Sequence, residues 1–522
     1  METTPNKSHI PQVELTQIAN IHGTGAQELN ALRLGPATEN KLSLAGSTLL
    51  AHGAEAEGPS IYVNNNCGAA VQNEMLTAFD IVPEPTQVAA LTTYSAATLR
   101  SGEFALSLPL PEGFANYYVR RGLLETEQQI LEVNPLPGGI GFPHLDPLAA
   151  LDAQGLELPN ELKNAKIVFT FPSNLARQQA RAAGADPIQD SDPQATNNKA
   201  LLREMAPAYG FRMSPGIKVN SPESVTAALE AFGHAPRLWF KLSHGAGGDT
   251  VIPVDAPFTE EKARNAIQKL RGEVDKAFAS NQYDMEAHEN FWAKDSFTPS
   301  GTSIIIEADA SVLGEVVDNC AAMVILNKDG QSTIVTYTRQ ITKDGAYLGN
   351  ESLAHEAVLK EKVDAMLKSV ANFYHHELGY AGIFGVDYLV VRNSKGEEEP
   401  IVIEANGRPI NSSYAHIVAE KIGAIHWINA KLKLPVSMSS FDEVAPLLTD
   451  NNGLALHEQR DPDFGCVIPT FLDSIQRKNA DGTLEVLHPG QNLRLVIASN
   501  QGIKHCREIL ANLSQRCMLL VN

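Results

Sequence analysis

Residues 401–411, IVIEANGRPIN, decide how this chain is read. Strand alternation sends Glu404 and Asn406 to one side and Ile403 and Ala405 to the other. Upstream, residues 382–391, GIFGVDYLVV, form a second apolar strand with a single carboxylate, Asp387. The intervening RNSKGEEEP is charged, contains glycine and proline, and reads as an exposed turn. A hairpin centred on Lys395 and Gly396 sets Asp387 directly opposite Glu404, with their Cβ atoms about 5 Å apart. Carboxylates so placed repel, and a divalent cation between them relieves the repulsion. Two carboxylates and the Asn406 amide make an all-oxygen donor set suited to Mg²⁺, with Mn²⁺ as its substitute, water and phosphate filling the remaining positions. Lone acids on strands are more often solvated face residues, so the metal reading depends on what the rest of the chain supplies.

At 522 residues the chain is too long for one core and predicts two to four domains. A net charge of −20 argues against nucleic acid and against an anionic membrane surface as partners. Five scattered cysteines (Cys67, Cys320, Cys466, Cys506, Cys517), with no C-x-x-C pair, argue against a zinc site or a disulfide framework and for a reducing compartment. The first residues lack an apolar signal core, and no window approaches 18 consecutive apolar residues. The expectation is a cytoplasmic protein.

Working outward, GPSIYVNNN (58–66) and AKIVFTF (165–171) read as strands, each followed by a helical stretch, which suggests a small parallel α/β layer. A short helix fits 26–34. From Asn197 the texture changes. NNKALLREMAPAYGF predicts a helix with Lys199 in its first turn, and SPESVTAALEAFG predicts another, with serine as N-cap and proline at N1. RLWFKLS is a strand bearing Lys241, HGAGGDT a glycine-rich loop, and VIPV the returning strand of a hairpin. TSIIIEADA leads a strand into Glu307; VVDNCAAMVIL and STIVTYTRQI are further strands. Residues 352–378 predict one long amphipathic helix ended by Gly379. After about Leu432, CVIPTFL, LRLVIAS and KHCREILANL suggest a separate α+β piece. The expected fold class is thus multidomain α/β and α+β.

Four further features bear on chemistry. The glycines of His244–Thr250 allow backbone N–H groups to approach phosphate oxygens closely. A strand, not a helix, follows them, so a dinucleotide fingerprint is excluded, and no glycine in the chain is followed by lysine, so a Walker A loop is excluded too. A plain glycine-rich hairpin is the competing interpretation. Lys241, flanked by Trp239, Phe240 and Leu242, predicts a buried ammonium that must find an anion, whereas Lys199 taken singly reads as a solvated lysine. Glu307 and Glu315 read equally well as solvated strand-end acids or as acceptors of ribose hydroxyls. Arg408, two residues beyond Asn406, and Arg339, on an alternating strand, are candidates to bind a carboxylate or stabilise phosphoryl charge; for Arg339 alone an exposed strand face is the simpler reading.

The order of lysine, lysine with glycine hairpin, strand-end acid, Asp strand and E-x-N with a nearby arginine resembles the ATP-grasp superfamily of carboxylate–amine ligases. The most specific part is GVDYLV followed by IVIEANGRPINSS (385–413), and the resemblance covers roughly 197–432. The layout is similar, more narrowly, to the pheganomycin-type peptide ligase branch. The resemblance implies a pre-ATP-grasp α/β domain (1–195), an ATP-grasp domain with antiparallel sheets and a glycine-rich hairpin lid (196–432), and a small C-terminal α+β domain (433–522). It implies ATP with Mg²⁺ as cofactors. Lys199 and Lys241 would contact phosphates or adenine, Gly245, Gly247 and Gly248 would form the lid, Glu307 would sit at the adenine hinge and Glu315 near the ribose. Asp387, Glu404 and Asn406 would hold the metal, and Arg408, with Arg339, would serve catalysis. The hinge sequence EADA departs from the pattern, lacking the bulky or basic residue often found after the glutamate. The implied reaction activates a small-molecule carboxylate as an acyl phosphate, which an amine then attacks; amino acids or short peptides are the expected substrates. A non-catalytic ATP-binding regulatory protein of the same fold, or a phosphotransferase stopping at a phosphate ester, are the alternatives.

Overall fold

The computed structural model of the protein describes residues 60–63, 95–137, 146–169, 174–187, 193–243, 251–280, 303–343, 346–450 and 453–519. Short apolar segments build a first layer: β1 (Ser60–Val63), β2 (Glu103–Ser107), β3 (Ile130–Glu132), β4 (Lys166–Phe169) and β5 (Asp186–Pro187) pair in parallel in the order β3-β2-β1-β4-β5. Helices α1 (Phe114–Arg120), α2 (Pro147–Ala153) and α3 (Asn174–Ala182) connect them. SIYV and KIVF are apolar throughout most of their length because a parallel strand is covered on both faces. The helices expected at 26–34 and after 66, and Cys67, lie outside the described residues.

The second unit begins with α4 (Lys199–Tyr209). The Asn198 side chain accepts from the N–H groups of Ala200 and Leu201, each at 3.0 Å, and Gly210 closes the helix. Strands β6 (Gly216–Val219), β7 (Arg237–Leu242), β8 (Val251–Asp255) and β9 (Ile304–Ala308) form an antiparallel sheet ordered β6-β9-β7-β8. Helices α5 (Pro222–Ala231), capped by Ser221, and α6 (Glu260–Ser280) cover it, with Val225, Ala228, Ala263 and Leu270 in its core. The β7–β8 hairpin forms as expected; its connecting loop, with Gly245, Gly247 and Gly248, lies outside the described residues.

The largest sheet has eight strands: β10 (Glu315–Leu326), β11 (Ser332–Lys343), β12 (Ala346–Leu353), β13 (Gly382–Arg392), β14 (Glu398–Asn406), β15 (His426–Met438), β16 (Cys466–Leu472) and, after the small ribbon β17 (Ile475–Lys478) and β18 (Leu484–His488), β19 (Gly490–Ser499). Their order is β14-β13-β10-β11-β12-β15-β19-β16. Helix α7 (Ala357–Leu378) covers one face, burying Val363, Met366, Val370 and Phe373 against β10 and β13. Helices α8 (Asn411–Lys421) and α9 (Ile503–Leu519) complete this part of the chain.

Two sequence expectations change here. Ser352 and Leu353 belong to β12 rather than to the helix, because pairing with β11 outweighs their continuity with the amphipathic run. The boundary expected between 432 and 433 falls inside β15, which pairs with β12 on one side and β19 on the other, so backbone hydrogen bonding continues through it. Tyr117 and Tyr118 of the first layer share one apolar cluster with Trp427, Leu495 and Cys506. Among the described residues no helix is long and apolar enough to cross a membrane, and Cys320, Cys466, Cys506 and Cys517 are buried free thiols.

Candidate functional site

The β13–β14 hairpin does place Asp387 opposite Glu404, by a different route from simple counting. The pairs from Arg392–Glu398 to Tyr388–Val402 centre the turn on Lys395, where Gly396 takes a positive φ of 82°. On that register Asp387 would face Ile403. A β-bulge between Tyr388 and Asp387 inserts Ile403 as an extra residue and restores the carboxylate pair. The bulge therefore decides which side chain of β14 reaches the site, since a one-residue slip turns every following side chain to the other face.

Around this pair the side chains converge. Lys199 Nζ lies 3.0 Å from Glu404 Oε2, Asn406 Nδ2 donates to Glu404 Oε1 at 3.1 Å, and Arg408 Nη2 donates to Asn406 Oδ1 at 3.2 Å. Gln340 Nε2 donates to Asp387 Oδ1 at 2.7 Å. Burial raises the Asp387 carboxyl well above its ordinary range, and the facing Glu404 adds to the rise. Burial opposes the charge of Glu404 as well, but the Lys199 ammonium and the hydrogen bonds to the carboxylate together outweigh it and hold Glu404 low. One acid thus keeps its charge and the other keeps a proton, as two carboxylates sharing a site must when no cation joins them. Burial also works against the Arg408 guanidinium, partly offset by Glu404 and Asp387.

Helix α4 links this cluster to the four-stranded sheet. Lys199 and Arg203, one turn apart on the same helix face, take different carboxylates: Lys199 takes Glu404, and Arg203 Nη2 contacts Glu307 Oε2. Glu307 Oε1 receives Lys241 Nζ at 2.7 Å, so a buried acid on β9 lies between two cations. The Lys199 backbone N–H donates to Ser243 O at 2.8 Å, which fixes the start of α4 against the root of the glycine-rich loop. Gly407, in the NGR turn, holds the same segment: a Cβ there would meet Thr196 Cβ at 2.5 Å and Oγ1 at 2.7 Å. Gly407→Ala is expected to displace residues 196–199 and lower stability by about 1–3 kcal/mol, read as a lower urea midpoint; an unchanged midpoint would show that the turn can give way.

Two expected residues are not part of this cluster. Arg339 pairs in register with Cys320, and Cys320 with Tyr388, so it occupies the face opposite Asp387. There it binds Asp318 at 2.8 Å and Glu351 at 2.9 Å, and Arg507 of α9 takes the same Glu351. Its neighbour Gln340, which alternation sends the other way, reaches the site instead; the small Ala321 between β11 and β13 leaves it room. Glu315 is exposed and pairs with Arg392 at 3.0 Å near the hairpin turn, at the other end of β13 from the site. Gln340 and Arg203 are site residues that the sequence does not single out. For Arg203 the i,i+4 spacing from Lys199 is a usable signal; for Gln340 none distinguishes it from Arg339.

On the Asp387 face, α8 runs over β12, β15 and β19. Its His416 has Nε2 sealed from solvent with no partner among the described residues, and burial lowers its pKa to about 4. A histidine depressed in the fold binds its proton first in the unfolded chain. Its contribution to stability is therefore full above about pH 6.5 and is lost as the pH falls through about 4, amounting to up to about 3 kcal/mol. His416→Phe should flatten the fall of the thermal midpoint between about pH 6.5 and 4; a fall as steep as the parent's would assign that dependence elsewhere.

No protein-family model matches the chain, and no curated protein sequence does either. Among solved structures, the chain is similar to N5-carboxyaminoimidazole synthase from Aspergillus clavatus in complex with ADP and 5-aminoimidazole ribonucleotide, at 12% identity and a TM-score of 0.46, covering 88% of this chain and 99% of that one. It is similar to N5-carboxyaminoimidazole ribonucleotide synthetase from Thermus thermophilus, at 14% identity and a TM-score of 0.44, covering 87% and 97%. It is also similar to a biotin carboxylase from Campylobacter jejuni in complex with an ATP analogue, at 13% identity and a TM-score of 0.46, covering 85% and 88%.

Proposed function

We propose that this protein is an ATP-dependent carboxylate–amine ligase of the ATP-grasp kind that its sequence resembles, forming an amide through an acyl phosphate and releasing ADP and phosphate. One observation carries this reading: two half-buried, facing carboxylates, Asp387 and Glu404, with Lys199 and Asn406 bound to the one that stays charged. Their oxygens and the Asn406 amide fit Mg²⁺ better than a softer metal, since no thiol or imidazole contributes to the set. Bound there, Mg²⁺ would supply charge neutralisation for the phosphate oxygens during transfer.

The chain's own groups do the rest. Lys199, in the first turn of α4, offers a point charge and a helix N-terminus to the phosphates. Lys241, held by Glu307 near the end of β7, would face the nucleotide, and Gly245, Gly247 and Gly248 would form the lid over its phosphates. Arg408 orients the carboxylate to be activated. That carboxylate oxygen attacks the γ-phosphorus and ADP leaves. The amine nitrogen then attacks the acyl carbon, phosphate leaves with the electrons of the C–O bond, and the amine gives up its proton. Amino acids or short peptides are the substrates, in the manner of the pheganomycin-type branch. Arg339 and Glu315 have no part in this scheme.

The test is incubation with ATP, Mg²⁺ and amino-acid or peptide pairs, with hydroxylamine as a trap. ADP, phosphate and an acyl hydroxamate are expected. AMP with pyrophosphate, or a phosphate ester that resists hydroxylamine, would overturn the mechanism. Nucleotide binding without any product would point to the regulatory alternative.

A further inference from the structure

Both carboxylates of the site have one oxygen already taken by a carboxamide of the chain. Gln340 Nε2 donates to Asp387 Oδ1 at 2.7 Å, and Asn406 Nδ2 donates to Glu404 Oε1 at 3.1 Å. Asn406 belongs to the E-x-N strand and offers its own oxygen to a cation. Gln340 belongs to neither strand of the hairpin, and it reaches Asp387 across an intervening strand. Ala321 of β10 stands level with Asp387 on one side and with Thr338 on the other. Gln340 lies two residues beyond Thr338 on the same face, so its carboxamide approaches Asp387 diagonally, over the buried methyl of Ala321. This contact comes from the β11 side, away from Glu404 on β14. Asp387 is left to share its other hydrogen bond with Glu404, where a cation would join the pair. Among the described residues the Gln340 side chain makes no second hydrogen bond, so Asp387 is its one polar partner there.

We infer that Gln340 is a positioning residue that sets the metal preference of the site: by occupying Oδ1 it leaves Asp387 one oxygen for a cation, which favours Mg²⁺ over Ca²⁺. Coordination number is the reason. Ca²⁺ gathers about six to eight oxygens and readily takes both oxygens of a carboxylate. Mg²⁺ holds about six in a tight octahedron, built from single carboxylate oxygens, water and phosphate. A carboxylate whose second oxygen accepts an amide N–H cannot grip a cation with both oxygens unless that hydrogen bond breaks. The amide is neutral, so it orients the acid without cancelling the charge that draws the cation. The inference rests on the cation site of the ligase reading, and adds to it a residue that touches neither cation nor substrate.

Displacement of Mn²⁺ from the full chain, followed by the electron paramagnetic resonance signal of the released ion, tests this without turnover. With ADP present, Mg²⁺ should release Mn²⁺ from the parent at a concentration at least about tenfold below that of Ca²⁺. Gln340→Met has a similar length and no donor, and should bring the two ions to within about threefold of each other. Gln340→Glu keeps the shape and adds carboxylate oxygens, and should bring them as close or invert their order. The affinity of ADP itself for the ions is common to the three proteins and cancels from the comparison. A role in packing alone would lower the thermal midpoint and leave the ratio of the two ions unchanged. An unchanged ratio in either variant, a parent that prefers Ca²⁺, or a parent that binds no Mn²⁺ would overturn the inference. Hydroxamate formation from ATP and a carboxylic acid judges the ligase reading separately. Its absence would remove the ligase, and a Mg²⁺ preference lost in both variants would still establish the role of Gln340.

Discussion

Glu404→Gln should reduce ATP-dependent product formation by about 100-fold or more, with little change in the unfolding midpoint. Glutamine fills the same volume and still accepts from Asn406, so packing survives. The ion pair to Lys199 is lost, but the fold has a second acid in reserve. Asp387 keeps its proton in the parent because desolvation in its half-buried position and the facing Glu404 both disfavour its charge; with that facing charge removed, Asp387 ionises more readily and can receive the ammonium. Only the paired charge is missing, and that pair is what a divalent cation requires. The same logic fixes a pH dependence. Without metal, Asp387 has a folded pKa above its unfolded one, so its contribution is present at low pH and is lost as the pH rises through the folded value. Glu404 has the reverse: its contribution is present above the ordinary carboxylate range and is lost as the pH falls through its lowered value. Mg²⁺ must displace the Asp387 proton, so the gain in thermal midpoint on adding Mg²⁺ to chelator-treated protein should grow as the pH rises, and binding should release protons. A gain independent of pH, or a Glu404→Gln protein of full activity, would remove this pair from the chemistry.

How much of this is legible in the sequence depends on how locally each feature is determined. The E-x-N strand, the Asp strand and the capped helix carrying Lys199 are local patterns, and they stand where periodicity and capping put them. The turn centre differs by half a residue from the one counted on the sequence, and a bulge at Ile403 that no local pattern announces compensates, so the right pair emerges from a wrong register. Alternation alone shows that Arg339 and Gln340 point to opposite faces, but not which face is the cleft; that depends on α7 covering the Arg339 side, a contact between distant segments. The sheet's continuation through β15 is hidden for the same reason. HWINAKLKLPV alternates well enough, but only its partners β12 and β19 show that it joins two halves of one sheet. Glu307 illustrates the limit most clearly. Its strand and its position at the strand end are readable, whereas the two cations that bracket it come from a helix far upstream in the chain and from a neighbouring strand.

That bracketing makes Glu307→Ala the substitution with the largest expected effect on stability, about 3–5 kcal/mol. Its side chain is 8% exposed, against 10% for Lys241 and 12% for Arg203. Removing the acid leaves two buried cations facing each other without an anion. Arg203 also donates to Ser214 O at 2.5 Å and lies against Gly216, so it cannot easily swing to solvent. Lys241→Met should cost less, because Glu307 then still holds Arg203 and the methionine fills the lysine's apolar stem space. The order of urea midpoints, parent above Lys241→Met above Glu307→Ala, follows from counting the charges each change leaves unpaired. Polyphosphate anions supply a second reading of the same geometry. ATP should raise the midpoint of Glu307→Ala by more than it raises the parent's, since the released cations gain a partner they lacked. Equal midpoints for the two variants would mean that solvent reaches the triad and screens it. A smaller ATP gain in Glu307→Ala than in the parent would mean that Glu307 itself holds the nucleotide, and that Lys241 serves the fold alone.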